Sequence, residues 1–286
     1  MLELDPPEHS PFVDSMINRI ERHAGVYAKE VDHYFQPARQ RIGTRPTEQV
    51  MLDSFNLHVE TVLVEYNPPG LRRRGDSLVF RRLYTADPDS PDDEDGGLRT
   101  RMLTALLAAE IEQRGPLRLS STQSTLLADT YEKLGGDLIG SGLPEHAALA
   151  YRRAMRLHRQ NEDDQAEDRC GLALARARSM ALPLGRRRIG RAISNLLCGY
   201  GYRPFRLFAW IAAQLVLFTT AIVLVTGVPA ADITYMTVTS YLNPLGASDI
   251  ADLNSAGQVL FAIEPWAGTV SLSVFFALLV RRWFRI

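Results

Sequence analysis

The sequence predicts a mostly α-helical chain: a cytosolic helical domain, followed by two transmembrane helices with a re-entrant helix and loop between them. Three observations carry this. Apolar runs at Phe205–Val225 and Val259–Val280 are each about 30 Å long as helices, the hydrocarbon thickness of a bilayer. The Thr-rich stretch Asp232–Leu242 between them, with no charge after Asp232, suits a helix of only about 15 Å, too short to cross. Before residue 180, apolar side chains recur mainly at three- and four-residue intervals.

The bulk numbers agree with this division. The 286 residues and net charge of -1 leave room for a soluble domain of about 180 residues beside the membrane part. Cys170 and Cys198 do not form a disulfide framework and fit a reducing compartment. The opening MLELDPPEHS has neither a basic nor an apolar leader segment, so the first span is expected to direct insertion. Arg186, Arg187, Arg188, Arg191, Arg203 and Arg206 precede the first span, and Arg281, Arg282 and Arg285 follow the second. Residues 207 to 280 contain no Lys or Arg. The positive-inside rule then predicts a multi-pass protein of the inner (plasma) membrane with both termini cytoplasmic.

Residues 1–97 read as a mainly helical region. Phe12, Met16, Ile17, Ile20, Val26 and Val31 mark one or two amphipathic helices, and Met51, Leu52 and Phe55 another. HVETVLVEY and SLVFRRLY are each compatible with helix or strand. ADPDSPDDEDGG (86–97) holds six acidic residues among Pro and Gly and is expected to be a solvated loop. It lacks the ordered carboxylate spacing of a calcium-binding loop.

Residues 98–184 form the second region. Tyr131, Leu134, Gly135 and Leu138 recur on one helix, Gly142-Leu143-Pro144 turns the chain, and Ala147, Tyr151 and Ala154 recur on the next. This hairpin resembles a tetratricopeptide repeat, with Arg159 where the closing Pro falls. Leu98–Arg114 is expected to precede it as a partner, and residues 163–179 to begin a second repeat. One repeat cannot bury its own faces, so these helices stack. The resemblance implies a concave surface for a cytosolic protein or peptide, with Tyr131 and Tyr151 as candidate partner-binding residues. A purely structural bundle is the alternative.

Residues 185–204, GRRRIGRAISNLLCGYGYRP, read as a basic amphipathic helix lying on anionic lipid head groups, each basic residue contributing about 1 kcal/mol. The adjoining span accounts for this charge, so no nucleic-acid partner is expected.

Residues 205–286 form the two-span module, with spans 205–226 and 258–281 and a pore loop at 232–250. Thr237, Thr239 and Ser240 lie on a Thr-rich short helix, Gly246-Ala247-Ser248-Asp249 follows it, and Glu264 with Gly268 lies in the second span. This order resembles bacterial two-span ion channels of the potassium-channel superfamily, whose pore helix enters a Gly-Tyr-Gly-Asp filter before an inner helix with Glu-x-x-x-Gly. The resemblance implies a homo-tetramer, monovalent cations as the permeant species, and a filter at Thr239, Asn243, Leu245, Gly246, Ala247, Ser248 and Asp249. Asn243, Pro244, Ala247 and Ser248 depart from the filter pattern, which implies weak ion selectivity.

Glu264 is the most informative single residue, because a carboxylate inside a span costs about 3 kcal/mol unless it faces protein or water. It is expected behind the pore loop, accepting from Ser240, Tyr241 or a loop amide. Gly268, and Ser271 beyond it, suit close helix packing. No catalytic site, cofactor or metal site is expected: the six histidines are scattered without ligand spacing. The chain thus reads as a weakly selective cation channel gated by its cytosolic domain. A membrane-anchored repeat scaffold with a non-conducting pore-like module is the alternative.

Overall fold

Met16, Ile20, Ala24, Tyr27 and Val31 recur at helical intervals and form the buried face of α1 (Pro11–Phe35). The computed structural model describes residues 11–35, 48–68, 76–85, 95–182, 204–243 and 254–284, with Gly190 and Gly199. The chain divides into two compact units, Met1–Pro183 and Leu184–Ile286. Most of the acidic tract (86–94) and nearly all of the basic juxtamembrane stretch lie outside the described residues.

In the first unit, α2 (Glu48–Glu65) buries Met51, Leu52, Phe55, Val59 and Val62, so HVETVLVEY is helix through Glu65. SLVFRRLY is a turn followed by the single-turn α3 (Arg81–Tyr84). The expected loop at 86–97 ends earlier than its composition suggests, because α4 (Asp95–Arg114) already includes Asp95 to Gly97. Helix α4 is enclosed over residues 102–112 and packs against α1, α2, α3 and α5 (Ser121–Gly140). Leu103, Leu106, Leu107 and Ile111 lie at its centre, each contributing about 1.5–3 kcal/mol by burial.

Two fully buried carboxylates on α4 are satisfied on roughly opposite sides of that helix. Glu112 accepts from the Val79 amide at 2.6 Å and the Tyr84 hydroxyl at 2.8 Å, which fastens the α3 segment to the core. Glu110 takes a two-pronged bond from Arg153, at 2.8 and 2.7 Å, and the Tyr131 hydroxyl at 3.0 Å. Burial, then the adjacent Glu110 charge, pushes the Tyr131 phenol well above its ordinary range, so it stays protonated as the donor.

Helices α5, α6 (Pro144–Gln160) and α7 (Asp164–Ala181) follow as consecutive packed neighbours. A Ser120–Gln123 capping box starts α5, and the Asp163 side chain, accepting from the Ala166 amide at 3.0 Å, starts α7. Helix α6 begins with Pro144, and its free Glu145 and His146 amides donate to the Glu48 carboxylate of α2 at 2.8 and 3.1 Å. The same paired bonds close α5 and α6. Leu143 N bonds Leu138 O, with Gly142 left-handed at φ 77; Asp163 N bonds His158 O, with Glu162 left-handed at φ 58.

Two stability predictions follow from these contacts. A Cβ at Gly135 would lie 2.8–2.9 Å from the Tyr151 ring, so Gly135→Ala should destabilise the unit by about 1–3 kcal/mol. Glu162→Gly removes a left-handed side chain at an exposed position and should stabilise by about 1 kcal/mol. Thermal unfolding of the full chain, followed by circular dichroism, reads both shifts.

Candidate functional site

Two helices of the second unit are long and apolar enough to cross a membrane: α8 (Pro204–Thr226) and α10 (Ser255–Phe284). Between them lies α9 (Ala230–Leu242). Most residues of both helices are not buried, unlike those of a helix enclosed in a core. Phe208, Leu217, Leu224, Ile263 and Trp266 are exposed large apolar residues on their outer faces. The buried positions include polar ones, Thr237, Ser240 and Tyr241 on α9 and Glu264 and Ser271 with Gly268 on α10, beside the apolar Leu207, Ile211, Ile222, Ile233 and Phe261. Apolar outside with polar groups at the helix contacts is the pattern of helices packed in lipid.

Local chemistry sets the three helices in place. Gly227, left-handed at φ 68, turns the chain after α8, and Pro229 caps α9 with Asp232 in its first turn. Asn254 joins the end of α8 to the start of α10: its Nδ2 donates to the Val225 carbonyl and its Oδ1 accepts from the Gly257 amide, both at 2.8 Å. Just inside that junction Ile222, Ile233 and Phe261 form a small apolar cluster, one residue from each helix.

The far end of α9 is fastened at a different level. The Tyr241 hydroxyl donates to Gln214 Oε1 at 2.7 Å, and the Ser271 hydroxyl donates to the same oxygen at 3.0 Å. A Cβ on Gly268 would lie 2.9 Å from the Tyr241 carbonyl oxygen, so only glycine admits this approach. Gln214 is about 18 Å of helix from Thr226, and Ser271 about 24 Å from Ser255. Helix α9 therefore returns alongside α8 and ends half-way along both long helices.

Glu264 is fully buried one turn before Gly268, and neither of its carboxylate oxygens has a partner among the described residues. The Thr237 hydroxyl is likewise buried and unpartnered. The expected bond from Tyr241 to Glu264 is corrected: Tyr241 is engaged by Gln214, which reaches it from the other long helix. Pro265 follows inside α10, which continues through it, and the Thr269 hydroxyl takes up the Pro265 carbonyl at 2.8 Å.

Of the other sequence-predicted residues, Thr239 is exposed and bonds back to the Tyr235 carbonyl at 2.8 Å. Asn243 is exposed and ends α9, with its amide on the Thr239 carbonyl. Leu245, Gly246, Ala247, Ser248 and Asp249 lie outside the described residues. Tyr131 and Tyr151 are both buried, the first bonded to Glu110 and the second laid on Gly135. Gln214 was not among the candidates. Its signal was a lone side-chain amide inside an apolar run, a residue type that joins helices in membranes.

Comparison with family models, curated proteins and solved structures finds no match for this chain. The module is therefore read from its own geometry. Gln214→Leu removes the shared acceptor of Tyr241 and Ser271 and should cost about 1–2 kcal/mol. Gly268→Ala should cost about 1–3 kcal/mol by forcing α9 away from α10. Detergent-solubilised protein should show both as lowered melting temperatures, whereas Thr220→Ala, on an exposed face, should leave the melting unchanged.

Proposed function

We propose that this chain is one subunit of a weakly selective cation channel of the inner (plasma) membrane, in which α9 is a re-entrant pore helix. The observation that carries the reading is the position of Tyr241. Held by Gln214, which also accepts from Ser271, it ends α9 half-way along both spans, which is mid-bilayer if those helices cross, while Asn254 returns the chain to the end of α8. A backbone that turns back at that depth needs protein or water around it, and a pore meets that need. Thr239, Asn243 and Leu245 to Asp249 then carry the filter, with Asp249 as a carboxylate ring at its mouth.

One subunit supplies a single short helix and loop, so the pore forms at a symmetry axis; the likeness to potassium-channel-superfamily modules supports a tetramer. The buried carboxyl of Glu264 and hydroxyl of Thr237 then serve that loop or the neighbouring subunit. Arg-rich flanks with an Arg- and Lys-free interior support cytoplasmic termini. The tetratricopeptide-like fit of Gly135 against Tyr151 supports a repeat domain that binds a cytosolic protein or peptide and gates the pore through residues 185–204.

Flux through purified protein in liposomes tests the proposal, with potassium and sodium gradients compared. Wild type should pass both ions, and Asp249→Asn should lower the flux severalfold. Background flux from the full chain and from a variant lacking residues 1–180, or a stable monomer in native detergent, overturns the channel. The membrane-anchored scaffold is the reading left by that outcome.

A further inference from the structure

The fold brings together three side chains from three different helices of the first unit: Glu132 of α5, His158 of α6 and Cys170 of α7. Their spacing along the sequence resembles no ligand motif, and the scattered histidines had pointed to no metal site. Packing α5, α6 and α7 in sequence places the Cys170 sulfur, an imidazole nitrogen and a Glu132 oxygen all within 4.8 Å of one another. Cys170 is fully buried and His158 is 1% exposed.

His158 supplies the independent observation. Both ring nitrogens are buried and neither has a hydrogen-bond partner among the described residues. Its Nε2 faces Glu132 Oε2 at 3.9 Å, too far for a hydrogen bond but suited to two ligands flanking a common ion. A buried imidazole with both nitrogens unsatisfied costs free energy, and an ion bound on one nitrogen recovers part of it.

We propose that Glu132, His158 and Cys170 bind a borderline divalent transition-metal ion of the Zn2+ class. Thiolate, imidazole and carboxylate are the donor types this class takes, at about 2.3 Å for sulfur and 2.0–2.2 Å for nitrogen and oxygen. Ligand atoms around such an ion stand roughly 3.3–3.7 Å apart, so the side chains close in by about 1 Å on binding. A water molecule takes the fourth position. Hard ions such as Mg2+ are disfavoured by the sulfur and the single carboxylate.

Arg169 completes the arrangement from outside. It holds Glu132 through two bonds, at 2.6 and 2.9 Å, leaving the remaining carboxylate lone pairs for the ion. Such an outer partner orients a metal-binding carboxylate. Binding replaces the thiol proton: the S–H bond breaks, the sulfur–metal bond forms, and the proton leaves to solvent. The ion clamps α5, α6 and α7 together, which makes metal supply a condition for the rigidity of the first unit. The site stands independently of the channel reading.

Cobalt is the probe, because a thiolate–Co2+ bond has a near-ultraviolet charge-transfer band that nitrogen and oxygen ligands lack. The full chain in detergent carries Cys198→Ala, so that Cys170 is its one thiol. Titration should develop the band at one equivalent per chain, and Zn2+ should bleach it and raise the melting temperature. Cys170→Ser should abolish the band. His158→Gln, which keeps the thiol and is judged at unchanged helical signal, should weaken cobalt binding at least tenfold. Absence of the band at saturating cobalt, its survival in Cys170→Ser, or unchanged affinity in His158→Gln overturns the site.

Discussion

The second unit depends on one side-chain oxygen. Gln214 Oε1 accepts from Tyr241 and from Ser271, so a single amide ties the short helix to both long ones. The Tyr241 hydroxyl, carried beyond reach of its own helix carbonyls, finds its partner on α8, and this junction fixes where α9 ends. The Asn254 junction at the other end and the glycine at 268 follow from the same constraint. One keeps the ends of α8 and α10 together, and the other lets the Tyr241 backbone approach α10.

The two units answer opposite solvents with the same helical geometry. In the first, apolar stripes turn inward and the buried carboxylates of α4 are met, as Glu110 is by Arg153 and Tyr131. In the second, apolar residues face out and the contacts between helices carry the polar groups. Glu264 and Thr237 are the exceptions, buried without partners among the described residues. Under the proposed assembly they lie where the returning loop and the neighbouring subunits meet, which gives each of them an available partner.

Helix α4 plays for the first unit the part that Gln214 plays for the second. Enclosed by α1, α2, α3 and α5, it organises the region before the hairpin and the hairpin itself around one continuous core. Its two buried carboxylates act in different directions, Glu112 toward the α3 segment and Glu110 toward α6. The Glu132, His158 and Cys170 cluster lies instead among α5, α6 and α7, the three helices in which the repeat pattern is read.

The sequence by itself determined what depends on local order. The spans are legible as apolar runs of bilayer length, and the α5–α6 hairpin as Leu134, Gly135, Ala147 and Ala154 around a Gly-Leu-Pro turn. Glu264 and Gly268 are legible because a charge and a glycine are costly in a span unless they serve a contact. Tertiary structure decided what depends on side chains meeting across helices. It paired Tyr241 with Gln214 instead of Glu264, turned Tyr131 and Tyr151 into core residues, and gathered Glu132, His158 and Cys170. The physical reason is that helical periodicity specifies which residues share a face, while the rotation and level at which two faces meet are set by packing, and packing is not periodic in sequence.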